Sequence, residues 1–145
     1  EMCGRDWSSD VCSSDLIWGI FCKRALIGFS FVSVYKEFAY IVYFAIEEKL
    51  RNKHLGSFAI KLICELFGDK TKVLCVEKPQ SKEDLRSRRI NFYKRNGFSL
   101  ADFEFECSGD TYFTMFSGEY DKSSFLSFLT ICFPDCSNFK SIKWK

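Results

Sequence analysis

At 145 residues the chain has room for one domain of ordinary size, which argues against two separately cored domains. Apolar residues make up 47% and charged residues 28%, with 17 phenylalanines, which excludes a disordered tail and supplies bulk for a core. A net charge of +2 is too small to mark nucleic acid or an anionic membrane as the main partner, and the longest apolar stretch, Phe38–Ile46, is far short of the roughly 18–20 residues that cross a bilayer.

The chain opens on a segment unlike the rest. Glu1 to Leu16 is polar and acidic and repeats Ser-Ser-Asp at Ser8–Asp10 and Ser13–Asp15. Its run from Asp6 to Leu16 resembles the conceptual translation of a sequencing-library adapter, so residues 1–16 are read as a non-native segment that stands outside fold reasoning. A signal peptide is excluded, because Asp6, Asp10 and Asp15 precede the apolar Leu16–Cys22 run where a basic region is required.

Ile17–Cys22 then reads as a short strand, with Lys23-Arg24 as the turn after it. Leu26–Tyr35 mixes β-branched and aromatic residues with small polar ones, which predicts a second strand. Ala39–Ile46 is apolar on both faces, as a central strand covered by helices must be, and Lys36-Glu37-Phe38 is short enough for a hairpin. From Gly56 to Phe67 the period changes: Ala59, Leu62, Ile63 and Leu66 fall at helical spacing, and Gly68 is placed to stop the helix.

Lys72–Glu77 is a further strand of buried type, ended by Pro79. Ser81, with Asp84 three residues on, is the expected N-cap of a helix running to about Asn96, with Gly97 as its C-cap. Phe103, Phe105 and Cys107 alternate with Glu104 and Glu106, and Ser108-Gly109-Asp110 turns the chain into Thr111–Phe116, an antiparallel hairpin with one wet face. An amphipathic helix, Lys122–Cys132, precedes a tail from Pro134 to which no element is assigned. The order β-β-β-α-β-α-β-β-α describes an α/β (α+β) fold, a mixed sheet with helices on its faces.

Eight cysteines accompany a single histidine, His54. Cys22, Cys64 and Cys75 sit inside apolar runs, where a thiol acts as a small core residue. The closest-spaced pair after the opening segment, Cys132 and Cys136, has no histidine near it, so no metal is expected and a reducing cytoplasm is the default setting.

The stretch that carries chemistry is Tyr40–Ser57. A strand ends near Ile46, Arg51 and Lys53 follow, and a small-residue turn opens a helix at Gly56-Ser57. Amides at a helix N-terminus, with the macrodipole behind them, favour an anion, and Gly56 lets backbone approach it closely. The pattern describes a pyrophosphate cradle, with a solvated basic loop as the plain alternative. The Walker pattern is absent, which argues against an ATPase.

Phe44–Ser57 resembles the acyl-CoA-binding motif R/Q-x-x-G-x-G/A of the GNAT family of N-acetyltransferases, with Arg51 first and Gly56 last. Ile90-Asn-Phe-Tyr-Lys-Arg-Asn-Gly-Phe98 is similar to that family's second signature, a helix ending in F-Y-x-x-x-G-F. The resemblance covers roughly Ile17 to Phe116 and implies a partial acetyltransferase domain over residues 17–118, followed by a C-terminal helix and tail over 119–145. It implies a mainly antiparallel sheet with a parallel, splayed central pair, Tyr40–Ile46 and Lys72–Glu77. The family's first strand and first two helices would precede Ile17, and without them apolar surface on Ile17–Tyr35 is expected to lie open and drive aggregation or pairing of the chain with itself.

By the same resemblance acetyl-CoA is the co-substrate and an amine, on a small molecule or a peptide, is the acceptor. Phe44, Ala45, Ile46, Arg51, Asn52, Lys53, His54, Leu55, Gly56, Ser57 and Asn91 are the implied coenzyme contacts, and an N–H near Ala45 or Ile46 would polarise the thioester carbonyl. Tyr93 is the implied proton donor to the leaving thiolate, with a core aromatic as its plain reading. Glu77 is one of the candidate bases, beside Glu47 and Glu48. Two departures stand out: His54 occupies the motif's first glycine position, and Val42 falls where many members carry an acid. These favour the rival reading, a degenerate member that binds CoA or a partner protein without turnover. A nucleic-acid domain built on Arg86–Arg95 is a third reading, opposed by the near-neutral total charge.

Overall fold

Residues 14–144 are described by a computed structural model, so residues 1–13 of the opening segment lie outside the described residues. The chain divides into two compact units, residues 1–72 and 73–145.

In the first unit β-branched and aromatic runs form an antiparallel meander of β1 (Ser14–Cys22), β2 (Ala25–Tyr35) and β3 (Phe38–Ile46). Two-residue turns join them, with Lys23 and Arg24 both at positive φ (48° and 69°), the geometry that suits the twist of a tight hairpin. β1 starts three residues before the expected Ile17, with Ser14 opposite Val34 and Leu16 opposite Val32. A ladder is made by backbone groups, so it runs on through side chains whose pattern does not announce a strand.

Helix α1 (Leu55–Leu66) belongs to this unit and buries Ala59, Ile60 and Ile63. Two residues of the expected apolar stripe, Leu62 and Leu66, are instead exposed at 42% and 58%. The inward face is centred on Ile60 and Ile63 and continues to Phe67, whose ring meets Trp18 of β1 edge-on at 6.5 Å. The helix ends at Leu66 with Phe67 as its C-cap, one residue before the predicted stop at Gly68. Residues paired across β1 and β2 share a face, and one such set, Ile17, Phe21, Leu26 and Phe29, is exposed at 44–76%, the open apolar surface expected for this segment.

The second unit holds β5 (Ser99–Cys107), β6 (Asp110–Ser117), β7 (Ser137–Ser141), α2 (Leu85–Arg95) and α3 (Lys122–Cys132), with most of β4 (Thr71–Glu77); its strand order is β4-β6-β5-β7. The alternation of β5 turns Phe103 and Phe105 inward, and Phe103 packs on Phe125 of α3 at 6.2 Å among Phe128, Leu129 and Met115, all fully or almost fully buried. The N-cap of α2 is Asp84 and not Ser81, because the Asp84 carboxylate accepts from the Arg86 amide at 3.0 Å while residues 81–84 are still turning. Gly97, just past the cap, takes φ 90°, which a glycine adopts without steric cost. The unassigned tail contains β7, which pairs antiparallel with β5.

Candidate coenzyme loop and the Tyr93 helix

β3 is not a regular strand. Phe31 pairs with Tyr43 but Val32 pairs with Ile41, so Val42 is an extra residue that bends the strand at the point where Tyr43, Phe44, Ala45 and Ile46 follow. Ser30, fully buried, donates its hydroxyl to the Tyr43 carbonyl at 2.9 Å beside that bulge. Phe44 and Ala45 are half-buried and Ile46 is buried.

Beyond Ile46 a 3-10 turn, Glu48–Leu50, brings Arg51 back so that its Nε donates to the Ile46 carbonyl at 3.1 Å. Arg51 therefore closes the loop as well as charging it. Asn52 and His54 follow in the left-handed region, with φ 63° and 61°. Two left-handed residues so close together turn the chain sharply, the kind of turn that can build an anion-binding concavity. His54 stands at the residue where the motif has its first glycine, and its φ shows the physical reason for that glycine: the position needs a left-handed backbone, which costs a side-chain-bearing residue about 1 kcal/mol. A β-branched residue tolerates it worst. His54→Val is expected to lose about 1–2 kcal/mol of stability, read as a lowered urea midpoint at unchanged slope.

The loop delivers the chain to α1 without a cap. Asp84 caps α2, and Asp121 caps α3 by accepting from the Ser124 amide at 3.1 Å, whereas His54 makes no side-chain cap bond to α1. The first helical bond runs from the Phe58 amide to the His54 carbonyl at 3.1 Å, so Leu55, Gly56 and Ser57 stand in the first turn, where amides have no carbonyl one turn back. That turn holds no acid, and Arg51, Lys53 and His54 beside it are exposed. Backbone donors and the helix dipole act there beside the exposed Arg51 and Lys53, which suits a phosphate group.

The remaining predicted residues lie in the second unit. Glu77 ends β4, and its Oε2 accepts from Arg86 Nε at 2.6 Å; Arg86 Nη1 also reaches Asp84 Oδ2 at 3.3 Å. One guanidinium thus joins a strand end to the helix cap, a role hidden in the sequence by the run of basic residues on α2. The Asp84 carboxyl is held below its ordinary value by hydrogen bonds from the Arg86 and Gln80 amides. Asn91 is exposed on α2. Tyr93 is partly buried between Phe92 and Phe98, at ring distances of 5.2 and 5.6 Å, and burial pushes its phenol up to about 12, an effect that the nearby Arg89 guanidinium opposes. Among the described residues no group of three or more His, Cys, Asp or Glu could hold a metal, and no helix is long and apolar enough to cross a membrane.

No family model and no curated protein sequence matches the chain. Its likeness lies with solved structures. A GNAT-family protein from Bacteroides thetaiotaomicron is 30% identical, the match covering 79% of this chain and 69% of that one at a TM-score of 0.66. The chain belongs to the GNAT family. The same fold recurs in the PaiA N-acetyltransferase of Thermoplasma acidophilum solved in complex with coenzyme A, at 22% identity, 72% and 61% coverage and a TM-score of 0.54. It recurs also in the ribosomal-protein-S18-alanine N-acetyltransferase of Escherichia coli, at 15% identity, 76% and 74% coverage and a TM-score of 0.58. The GNAT fold thus stands on the structural likeness, as the two motifs implied.

Proposed function

We propose that this chain is an acetyl-CoA-dependent N-acetyltransferase whose loop at Arg51–Ser57 binds the coenzyme's diphosphate and whose acceptor is an amine on a small molecule or peptide. The observation that carries the reading is the uncapped start of α1, reached through two left-handed residues and flanked by Arg51 and Lys53, in a chain of the GNAT family. The N-cap residue, His54, gives α1 no side-chain hydrogen bond, and the positive end of a helix favours an anion.

The chemistry asks for an anchored thioester, a neutral amine, a stabilised oxyanion and a stabilised leaving thiolate. Phe44, Ala45 and Ile46, downstream of the Val42 bulge, are assigned to the acyl-bearing arm, with a backbone N–H near Ala45 or Ile46 polarising the thioester carbonyl. Asn91 is assigned to the coenzyme and Tyr93 to the leaving sulfur. With its pKa at about 12 the phenol keeps its proton throughout the working range. Against an alkyl thiol of pKa about 8.5 it is the weaker acid, so it stabilises the departing thiolate as a hydrogen-bond donor and does not surrender its proton outright. Glu77 is the carboxylate assigned to receive the amine's proton through water, its orientation fixed by Arg86.

Calorimetric titration of acetyl-CoA into the full chain and into Gly56→Asp tests the cradle. A carboxylate in the first turn favours the helix while repelling diphosphate, so fold and binding separate. Affinity is expected to drop at least tenfold, about 1.4 kcal/mol, with the circular dichroism spectrum unchanged. Equal binding by both proteins would dismiss the cradle. The second reading, coenzyme binding without turnover, is favoured by Val42, an apolar residue almost wholly buried in the β3 bulge where an acid would be wanted. Thiol release followed with DTNB across polyamines, aminoglycosides and peptides separates the two: binding without thiol release supports the second.

A further inference from the structure

The ladder between β5 and β7 changes register along its length. Phe103 pairs with Ser141 and Glu104 with Lys140, but Glu106 pairs with Ser137, so β7 absorbs one extra residue in between. Asn138 takes a left-handed backbone at φ 52° and donates its Nδ2 to Glu106 Oε2 at 2.7 Å, which identifies it as the residue that takes up the slack. The shift has a chemical consequence. Carried one step past its last pair, Glu106 with Ser137, the shifted register sets Cys136 opposite Cys107, where the unshifted register would set Ser137.

Opposed residues of an antiparallel ladder share a face and stand about 4.5–5.5 Å apart at Cα, inside the roughly 4.4–6.8 Å window of a disulfide. Cys107 and Cys136 are both thiols, and both are half-buried. Each is fixed by backbone: Cys107 pairs with Asp110 in the β5–β6 hairpin, and the Cys136 amide donates to the Phe133 carbonyl at 3.0 Å, closing the turn after α3. Between them in the chain lie β6, α3 and the turn into β7. β7 itself is exposed along its length, with Phe139 its one aromatic, 6.4 Å from Phe103 and 5.7 Å from Phe105. So few apolar contacts leave that strand among the easily opened parts of the fold.

We propose that Cys107 and Cys136 form a reversible disulfide that straps the α3–β7 segment to the edge of β5. The oxidant is a low-molecular-weight disulfide such as oxidised glutathione. One cysteine thiolate attacks it, a glutathione thiolate leaves and a mixed disulfide forms; the second thiolate attacks the protein sulfur and expels the other glutathione. Two protein thiols lose their protons, two electrons pass to the reagent, and one S–S bond closes a ring of about 30 residues, long enough for the bridge to restrict the unfolded chain substantially.

The test incubates the full chain in graded mixtures of reduced and oxidised glutathione, blocks remaining thiols, and maps cross-linked peptides by mass spectrometry without reduction. A peptide joining Cys107 to Cys136 is expected, reversed by reductant and missing in Cys107→Ser and Cys136→Ser. Oxidation is expected to raise the unfolding temperature of the unsubstituted protein by about 5–10 °C and to leave both variants unmoved. Glutathione adducts on both residues without the cross-link, or a cross-link from either to another cysteine in preference, would overturn the pairing. A bridge that forms without raising the unfolding temperature would overturn the strap.

Discussion

Gly28→Ala is expected to be among the most damaging single substitutions in the first unit, although it adds one methyl group. Gly28 lies in β2 opposite Ile46, and a Cβ built on it would sit 2.2 Å from the Ala45 carbonyl oxygen and 3.0 Å from Ile46 Cδ1. The first obstacle is backbone, which cannot turn aside as a side chain can, so the strands must part. Overpacking of a settled core costs about 1–3 kcal/mol, and a backbone collision belongs at or above the upper end. The strand pushed aside carries Ala45 and Ile46, so loss of stability should come with loss of acetyl-CoA affinity. Gly19→Ala is the matched control. There the nearest obstacle, at 2.9 Å, is the ring of the exposed Phe21, which can swing into solvent. Urea unfolding of the two variants should differ by at least about 2 kcal/mol, and equal midpoints would show that the β2–β3 approach is not as close as described.

The contrast between those glycines marks the limit of what composition and period can reveal. Strands and helices were legible wherever side chains alternate or recur in step, as in β2, β3, α1 and the β5–β6 hairpin. β7 was not. Ser137-Asn-Phe-Lys-Ser141 carries no alternation of its own and buries none of its residues, so it is a strand only because β5 offers it a ladder. Asp84 displaced Ser81 as the α2 cap for a related reason: both residues can cap, and the choice rests on where Gln80 and Arg86 hold the carboxylate.

At the candidate site the motif marked a loop but not its mechanics. That His54 is left-handed follows from the missing glycine, and Asn52 two residues earlier is one of the few residue types that accept that backbone readily. The hydrogen bond from Arg51 to Ile46 and the fork of Arg86 onto Glu77 and Asp84 depend on tertiary approach and leave no trace in spacing. The Val42 bulge is likewise silent, because an extra residue in an unbroken apolar run looks like any other.

Tyr93→Phe is expected to lower kcat about 100-fold, the scale of losing one positioned hydrogen-bond donor to developing charge, with little change in KM for acetyl-CoA. The phenol sits between Phe92 and Phe98, so phenylalanine conserves the packing and removes one oxygen. If Tyr93 were only a core aromatic, the substitution would leave turnover untouched, and that result would discard the donor role. Its pKa gives a second, independent readout. Burial raises it from 10 to about 12, so between those values the folded state binds more protons than the unfolded state. This contribution is fully present below pH 10 and is lost as pH rises through 12. Tyr120 titrates in the same direction, raised chiefly by burial, so the wild-type alkaline decline is shared between the two phenols. Stability measured in urea at pH 9 and pH 11 should therefore fall less in Tyr93→Phe than in the wild type. Over the same range the wild-type rate should show no decline that traces to Tyr93 below about pH 11, because a phenol held this high still carries its proton there.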